Sequence, residues 1–143
     1  RCFFLKDVSK NLCIFCDDKK RNKNIIAIVE KETDLISIEK TGHFHGQYLI
    51  LGELAERGAL ESAQKLRLSH LKERINKELA GKAEEIIVAV SLNTFGDFIT
   101  DLIRQEFSPL ALKITRLGRG IPTGGEIEFA DPETLSAALE RRN

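Results

Sequence analysis

Three cysteines near the start of the chain have the clearest capacity for chemistry. Cys13 and Cys16 form a C-x-x-C motif, and Cys2 lies upstream of it. The tight turn of such a motif can direct two thiolates at one metal ion. An odd number of cysteines argues against a closed set of disulfides. The charged run after Cys16 also differs from the helix that a thioredoxin-type redox pair requires. We therefore predict that the three cysteines hold a structural Zn²⁺ ion, with inert thiols as the alternative.

A structural zinc site needs four ligands, and the sequence supplies three cysteines. If Cys2 closed a second C-x-x-C pair, its partner would lie immediately before Arg1. Methionine is absent, and the first residue is an arginine. Both observations lead us to expect that this sequence is part of a longer chain.

Two carboxylates follow apolar segments. The first such segment, Asn24–Glu30, ends on Glu30, and the second, Ile86–Val90, leads into a turn that contains Asp97. Open α/β sheets place their sites at the carboxyl ends of parallel strands. Two acids there can hold Mg²⁺ through water, although a third ligand usually completes such a site. The alternatives are that Glu30 is the first solvated residue after its strand and that Asp97 is a helix N-cap.

Basic residues cluster in two places. Lysines and arginines are equal in number to aspartates and glutamates, so any affinity for nucleic acid must come from a local patch. One group precedes the first apolar segment, and the other lies beside a glycine-rich stretch. The candidates for phosphate contacts are Lys19, Lys20, Arg21, Lys23, Arg116 and Arg119.

Apolar segments and amphipathic segments alternate along the chain. Continuous runs of branched apolar residues are typical of strands that are buried on both faces. We predict an α/β fold with a central, mostly parallel sheet flanked by helices and joined by right-handed crossovers. The predicted strands are Asn24–Glu30, Gln47–Leu51, Ile86–Val90 and Leu112–Leu117, and the predicted helices include Thr33–Lys40, Ser69–Ala80 and one that ends near Phe107.

The C-terminal segment has its own pattern. Ile127 and Phe129 alternate with glutamates, which predicts a short strand. Asp131 followed by Pro132 predicts the start of a helix, with Asp131 as the N-cap. We expect the apolar side of this last helix, which includes Leu139, to be buried.

No apolar run approaches the roughly 18 residues that a transmembrane helix needs. A secretory apolar region is also absent from the given sequence. We therefore expect a cytoplasmic location and no membrane partner.

Several motifs occur in the order of one known family. They are C-x-x-C, a basic run, I-I-A-I-V-E, T-D-L-I-S-I-E-K-T-G, and R-G-I-P-T-G-G-E-I-E-F-A-D-P-E-T-L. In this order they closely resemble the RecR family of bacterial recombination proteins. The resemblance covers nearly all of the chain. The last motif is the most specific because it is long and unusual.

The resemblance implies a Toprim-like domain preceded by a small zinc-knuckle element. By this resemblance, residues 1–22 are the C-terminal part of a four-cysteine zinc element, 23–117 are the Toprim domain, and 118–143 are an oligomerisation arm. Glu30 corresponds to the Toprim glutamate. The family has two acids around the glycine that follows the second buried strand, whereas this chain has Phe95 and Asp97. The missing acid disfavours Mg²⁺ binding and catalysis.

The resemblance also implies a DNA-binding recombination mediator and not an enzyme. Such proteins form rings or intertwined dimers and act with RecO or RecF to load the strand-exchange recombinase on single-stranded DNA in gap repair. The expected partners are therefore DNA, RecO- and RecF-type proteins, and further copies of the chain in a dimer or tetramer. The alternatives are a metal-dependent Toprim nuclease or primase fragment, and a zinc-knuckle interaction module without a DNA role.

Overall fold

A four-stranded parallel sheet forms the centre of the protein. The computed structural model describes residues 1–54 and 59–143. The strands are β1 (Asn22–Val29), β2 (Gly46–Ile50), β3 (Ala83–Ala89) and β4 (Ala111–Arg116), and they lie in the order β2-β1-β3-β4. All three strand pairs are parallel. The prediction of a mostly parallel α/β sheet is confirmed.

Three helices connect the strands, one helix precedes β1 and one follows β4. They are α1 (Ile14–Asp17), α2 (Glu32–Lys40), α3 (Ser62–Glu78), α4 (Thr94–Phe107) and α5 (Pro132–Glu140), and short 3-10 turns span Ser108–Leu110 and Ile127–Phe129. In the part of the chain that the structure describes, no helix is both long enough and apolar enough to cross a membrane.

The two faces of β1 explain why its sequence does not alternate. Ile26 and Ile28 pack on one face in a cluster with the apolar sides of α3 and α4, whereas Ala27 and Val29 pack on the other. The second cluster contains residues of α2 and β2 together with all three cysteines. The N-terminal segment is therefore part of the covering of the sheet.

Helix α3 begins earlier than its apolar pattern predicts. It starts at Ser62 and not near Ser69. The Oε1 atom of Gln64 accepts a hydrogen bond from the backbone N–H of Glu61 (2.9 Å), and its Nε2 donates to the carbonyl of Glu53 (2.7 Å). Polar contacts stabilise this first turn, so apolar periodicity does not detect it.

The start of α4 corrects one interpretation of Asp97. Asn93 is the N-cap, because its side chain accepts a hydrogen bond from the N–H of Gly96 (2.9 Å). The interpretation of Asp97 as the N-cap is therefore wrong. A Cβ atom at Gly96 would lie 1.8 Å from the carbonyl oxygen of Ser91, so only glycine fits in this turn.

The C-terminal segment differs from its prediction in two respects. Residues Ile127–Phe129 form a 3-10 turn and not a strand, because their hydrogen bonds are local and no strand lies beside them in the described chain. Asp131 does cap α5, as predicted, and accepts a hydrogen bond from the N–H of Thr134 (2.8 Å). Leu139, predicted to be buried, is 63% exposed in the single chain.

Candidate functional site

The three cysteines converge on one point, which we call the thiolate cluster. The Sγ atoms of Cys2, Cys13 and Cys16 lie within 4.8 Å of one another, and all three residues are buried. The Sγ atoms of Cys2 and Cys13 are 3.3 Å apart. None of the three forms a disulfide.

Two local structures bring these sulfur atoms together. The carbonyl of Cys2 accepts a hydrogen bond from the N–H of Ile50 (2.9 Å), so the start of the chain lies along the outer edge of β2. Cys13 precedes α1 and Cys16 lies within it, and the N–H of Asp17 donates to the carbonyl of Cys13 (3.0 Å). One helical turn thus places both cysteines of the C-x-x-C motif beside Cys2.

The pKa values of two thiols in the cluster shift in opposite directions. Hydrogen bonding between Cys2 and Cys16 lowers the pKa of the Cys16 thiol. The same bond, together with burial, raises the pKa of the Cys2 thiol. A thiolate is the form of cysteine that binds metal ions. Three converging buried sulfur donors are compatible with a metal site and suit a soft or borderline ion better than a hard one.

Glu30 is buried and hydrogen-bonded within the protein. It is 6% exposed, and its Oε1 accepts a hydrogen bond from the backbone N–H of Ser91 (2.6 Å). This bond ties the end of β1 to the end of β3. The alternative that Glu30 is simply the first solvated residue after the strand is therefore wrong.

Asp97 faces cations that the chain itself provides. Its Oδ1 lies 2.8 Å from Nη1 of Arg116 and 3.5 Å from Nη2 of Arg119. Arg119 also pairs with Glu133. We call Glu30, Asp97, Arg116 and Arg119 the carboxylate edge, because they lie at or beyond the carboxyl ends of the strands.

The carboxylate edge does not form a multi-ligand metal site. Within residues 1–54 and 59–143, the thiolate cluster is the one group of three or more potential ligand residues that converge. Glu30 and Asp97 therefore lack a third converging ligand among these residues. Magnesium binding by this pair stays a prediction.

The predicted basic residues are divided between opposite ends of the sheet. Lys19, Lys20 and Lys23 are exposed near the start of β1, and they make no ion pair with the described residues. Arg116 ends β4, at the level of Ile28. The strand spacing separates Lys23 from that level by about 16 Å.

The side chain of Arg21 is engaged in contacts within the protein. Its guanidinium pairs with Glu39, and its Nε donates to the carbonyl of Gly46 (2.7 Å). Its side chain is only 9% exposed. Arg21 therefore joins α2 to the start of β2, and its donors are already engaged.

Sequence reasoning missed a buried polar pair. Arg74 is 8% exposed and donates from Nη2 to Oε1 of Gln47 (2.7 Å), which is itself 1% exposed. A signal was present, since Arg74 lies one helical turn after the buried Leu71 and beside the buried Ile75. A charged residue on the apolar side of a helix requires a partner.

Family models match most of the chain. A model described as the Toprim domain matches residues 24–118, and one described as RecR, C-terminal, matches residues 120–143. The first match confirms the predicted Toprim-like fold, and it includes Glu30, Asp97 and all of the sheet except the first two residues of β1.

Curated relatives give the same assignment. The recombination protein RecR of Roseiflexus sp. (strain RS-1) is 35% identical over 99% of this chain and 67% of its own length. That of Chloroflexus aggregans is 37% identical with the same coverage. That of Bifidobacterium animalis subsp. lactis is 38% identical over 91% of this chain and 64% of its own length. The chain thus spans about two thirds of the length of these relatives, and it belongs to the RecR family of recombination proteins.

Proposed function

We propose that this protein is a DNA-binding recombination mediator in gap repair. In this role it acts with RecO- and RecF-type proteins to load the strand-exchange recombinase on single-stranded DNA. Membership of a recombination family supports this proposal. The observation that carries the DNA-binding part is the exposed group Lys19, Lys20 and Lys23, whose ammonium groups are available to phosphates.

A non-catalytic role agrees with the carboxylate edge. The carboxylate of Glu30 accepts a backbone hydrogen bond, and that of Asp97 pairs with two arginines. Tyr48 is 1% exposed and donates its hydroxyl to Glu39, so it does not resemble an accessible nucleophile. We infer that the protein binds DNA without cutting it.

The thiolate cluster would hold Zn²⁺ in a structural role. Zinc accepts thiolate ligands in tetrahedral geometry, and three sulfur atoms from Cys2, Cys13 and Cys16 would occupy three of its positions. The ion would fix α1 and the following loop against β2. That loop carries Lys19 and Lys20, so the ion would also hold the proposed DNA-binding lysines in place.

The C-terminal arm, residues 118–143, would join copies of the chain into a dimer or tetramer. Ile127 is 69% exposed, Phe129 78% and Leu139 63% in the single chain. Apolar side chains exposed together on one segment are typical of an interaction surface. We propose that this surface packs on a neighbouring copy.

The central experiment measures binding to gapped DNA at several salt concentrations. Replacing Lys19, Lys20 and Lys23 together by alanine should weaken binding. It should also reduce the salt slope by about 0.7 to 0.9 for each lost phosphate contact. The matched control replaces Lys65, Lys77 and Lys82, which are exposed elsewhere, by alanine. Equal affinity of the two triple variants would contradict the proposed surface.

Arg116 and Arg119 provide a second comparison in the same assay. Because both are engaged with carboxylates, we expect their replacement by alanine to weaken binding less than the lysine replacements do. Recombinase loading on gapped DNA, with RecO- and RecF-type proteins present, would then test the mediator role. Loading that is unaffected by the lysine variant would contradict that role.

Assembly is tested separately by light scattering. Ile127→Asp combined with Phe129→Asp should lower the molecular mass in solution. Leu66→Asp, at another exposed leucine on α3, is the control and should leave the mass unchanged. An unchanged mass in the double variant would contradict the proposed arm.

A further inference from the structure

Arg21 lies between the exposed lysines in the sequence, but its own side chain is bound within the protein. Its Nε donates to the carbonyl of Gly46 (2.7 Å), and its Nη1 donates to Oε2 of Glu39 (3.1 Å). Its Nη2 donates to Glu39 as well, and to the carbonyl of Phe44 (3.3 Å). Each of its three nitrogen atoms therefore donates to an acceptor of the protein itself.

Two aromatic side chains lie beside the same guanidinium. Its central carbon is 5.5 Å from the ring centroid of Phe15 and 5.4 Å from that of Tyr48. Contacts of this kind between a cation and an aromatic ring are attractive. Phe15 belongs to α1 and Tyr48 to β2. The side chain of Arg21 thus connects the helix before the lysines with the edge strand of the sheet.

The backbone of Arg21 closes the turn that carries two of the lysines. Its N–H donates to the carbonyl of Asp18 (3.3 Å), and the N–H of Lys20 donates to Oδ1 of Asp18 (2.9 Å). Lys19 and Lys20 are therefore the two central residues of a β-turn, which the aspartate side chain also stabilises. Lys23 follows two residues after Arg21, in β1.

We propose that Arg21 is a positioning residue for DNA binding by Lys19, Lys20 and Lys23. Its side chain fixes the end of the turn against α2 and β2, so the backbone that carries the lysines is ordered before DNA arrives. Ordering a binding segment in advance lowers the free-energy cost of association. This inference rests on the proposed DNA-binding function. It replaces the predicted phosphate contact of Arg21 with an indirect role.

The decisive variant is Arg21→Lys, tested by the dissociation constant for gapped DNA. Lysine keeps the positive charge and is itself a good phosphate ligand, so a direct contact would survive this change. Lysine lacks the planar fork that bonds Glu39 and two backbone carbonyls together. We expect binding to weaken by about 2- to 30-fold, the range for residues that act through a network of contacts. Wild-type affinity of Arg21→Lys would overturn the inference.

A second variant changes the partner of Arg21 and reverses the expected electrostatic effect. Glu39→Gln removes a negative charge but keeps an oxygen that accepts the hydroxyl of Tyr48, so the variant should fold. If charge alone mattered, losing a carboxylate would strengthen DNA binding. Loss of the ion pair with Arg21 should instead weaken binding, though less than Arg21→Lys does. Tighter binding by Glu39→Gln would contradict the inference.

The matched control compares Arg21→Met with Arg67→Met, because both remove one positive charge. Arg67 also donates to a carbonyl of the chain around β2, that of Ile50 (3.0 Å), and its guanidinium lies over the ring of Phe3. Only Arg21→Met should weaken DNA binding. Introducing Arg21→Met into the variant that lacks all three lysines should cause no further loss, and an equal further loss would show that Arg21 does not act through them.

Melting temperatures separate positioning from a general effect on stability. If Arg21 served stability alone, Arg21→Lys would lower the melting temperature while the folded protein kept its affinity for DNA. That result would overturn this inference and leave the proposed lysine surface intact. If replacement of the three lysines did not weaken binding, the proposed surface and this inference would both be wrong.

Discussion

The thiolate cluster and the carboxylate edge both contain side chains that can carry negative charge, but they differ in what surrounds those side chains. In the thiolate cluster, three sulfur atoms lie within 4.8 Å of one another. At the carboxylate edge, Glu30 accepts the N–H of Ser91, and Asp97 faces Arg116 and Arg119. One set converges on a shared point, whereas the other is divided among separate protein donors.

This difference shows that residue type alone does not define a metal site. Carboxylates that already accept hydrogen bonds from arginines or from the backbone gain less free energy by binding a metal ion, because binding would first break those bonds. Converging thiolates gain more, since their mutual repulsion falls when a cation binds. The comparison predicts that the two regions respond differently to metal ions and to substitution.

The largest expected effect is stabilisation by zinc. With free Zn²⁺ at about 100 times its dissociation constant, the free energy of unfolding should rise by about 2.7 kcal/mol. Magnesium should have no comparable effect. Thermal or denaturant unfolding with each ion measures this difference.

A ligand variant provides the control for the zinc effect. Cys16→Ser should abolish the stabilisation by zinc. The comparison between the two regions would be wrong if Mg²⁺ stabilised the protein as much as Zn²⁺ and if Asp97→Asn removed that effect.

The next effect concerns Glu30. Glu30→Ala removes the acceptor for the N–H of Ser91 and should lower the free energy of unfolding by about 1 to 3 kcal/mol. Glu30→Gln keeps an acceptor oxygen and should cost less. Denaturant unfolding measures both variants, with Glu53→Ala as the control, because Glu53 is an exposed carboxylate near the same edge. Equal stability of Glu30→Ala and wild type would show that the hydrogen bond contributes little.

A smaller effect is expected for the ion pair of Asp97 with Arg116. Both side chains are partly exposed, at 49% and 24%. A double-mutant cycle with Asp97→Asn and Arg116→Met should give a coupling energy of about 0.2 to 1 kcal/mol, decreasing as salt is added. A coupling energy that disappears only when Mg²⁺ is added would instead indicate that the ion competes for Asp97.

The last prediction concerns catalysis. We expect the protein to cleave no DNA. Incubation of gapped or single-stranded DNA with the protein and Mg²⁺ or Mn²⁺ should give no cleavage product on a denaturing gel. Cleavage that is lost in Glu30→Gln would contradict the non-catalytic assignment of the carboxylate edge.

The local sequence was sufficient to predict several structural features. Runs of branched apolar residues located β1 and β3, and the spacing of Cys13 and Cys16 indicated a shared turn. The pair Asp131 and Pro132 marked the start of α5. These predictions succeeded because each depends on residues that are neighbours along the chain, where propensity and periodicity act directly.

Other features depended on contacts between distant residues. The start of α3 was missed because Gln64 is held by backbone atoms of another segment. The segment around Ile127 became a 3-10 turn because a strand requires a neighbour, and no neighbouring strand lies beside it in the described chain. Local alternation does not show whether such a neighbour exists.

The sequence by itself determined the α/β class, the family and the residues that could bind ions or DNA. Only the tertiary structure decided which of those charges are available. It buried Arg21 against Glu39, paired Arg116 with Asp97, and left Lys19, Lys20 and Lys23 exposed. It also buried Arg74 against Gln47 of β2. The physical reason is that the energy of a charge depends on its solvation and its nearest opposite charge, and folding sets both through contacts between residues far apart in the chain.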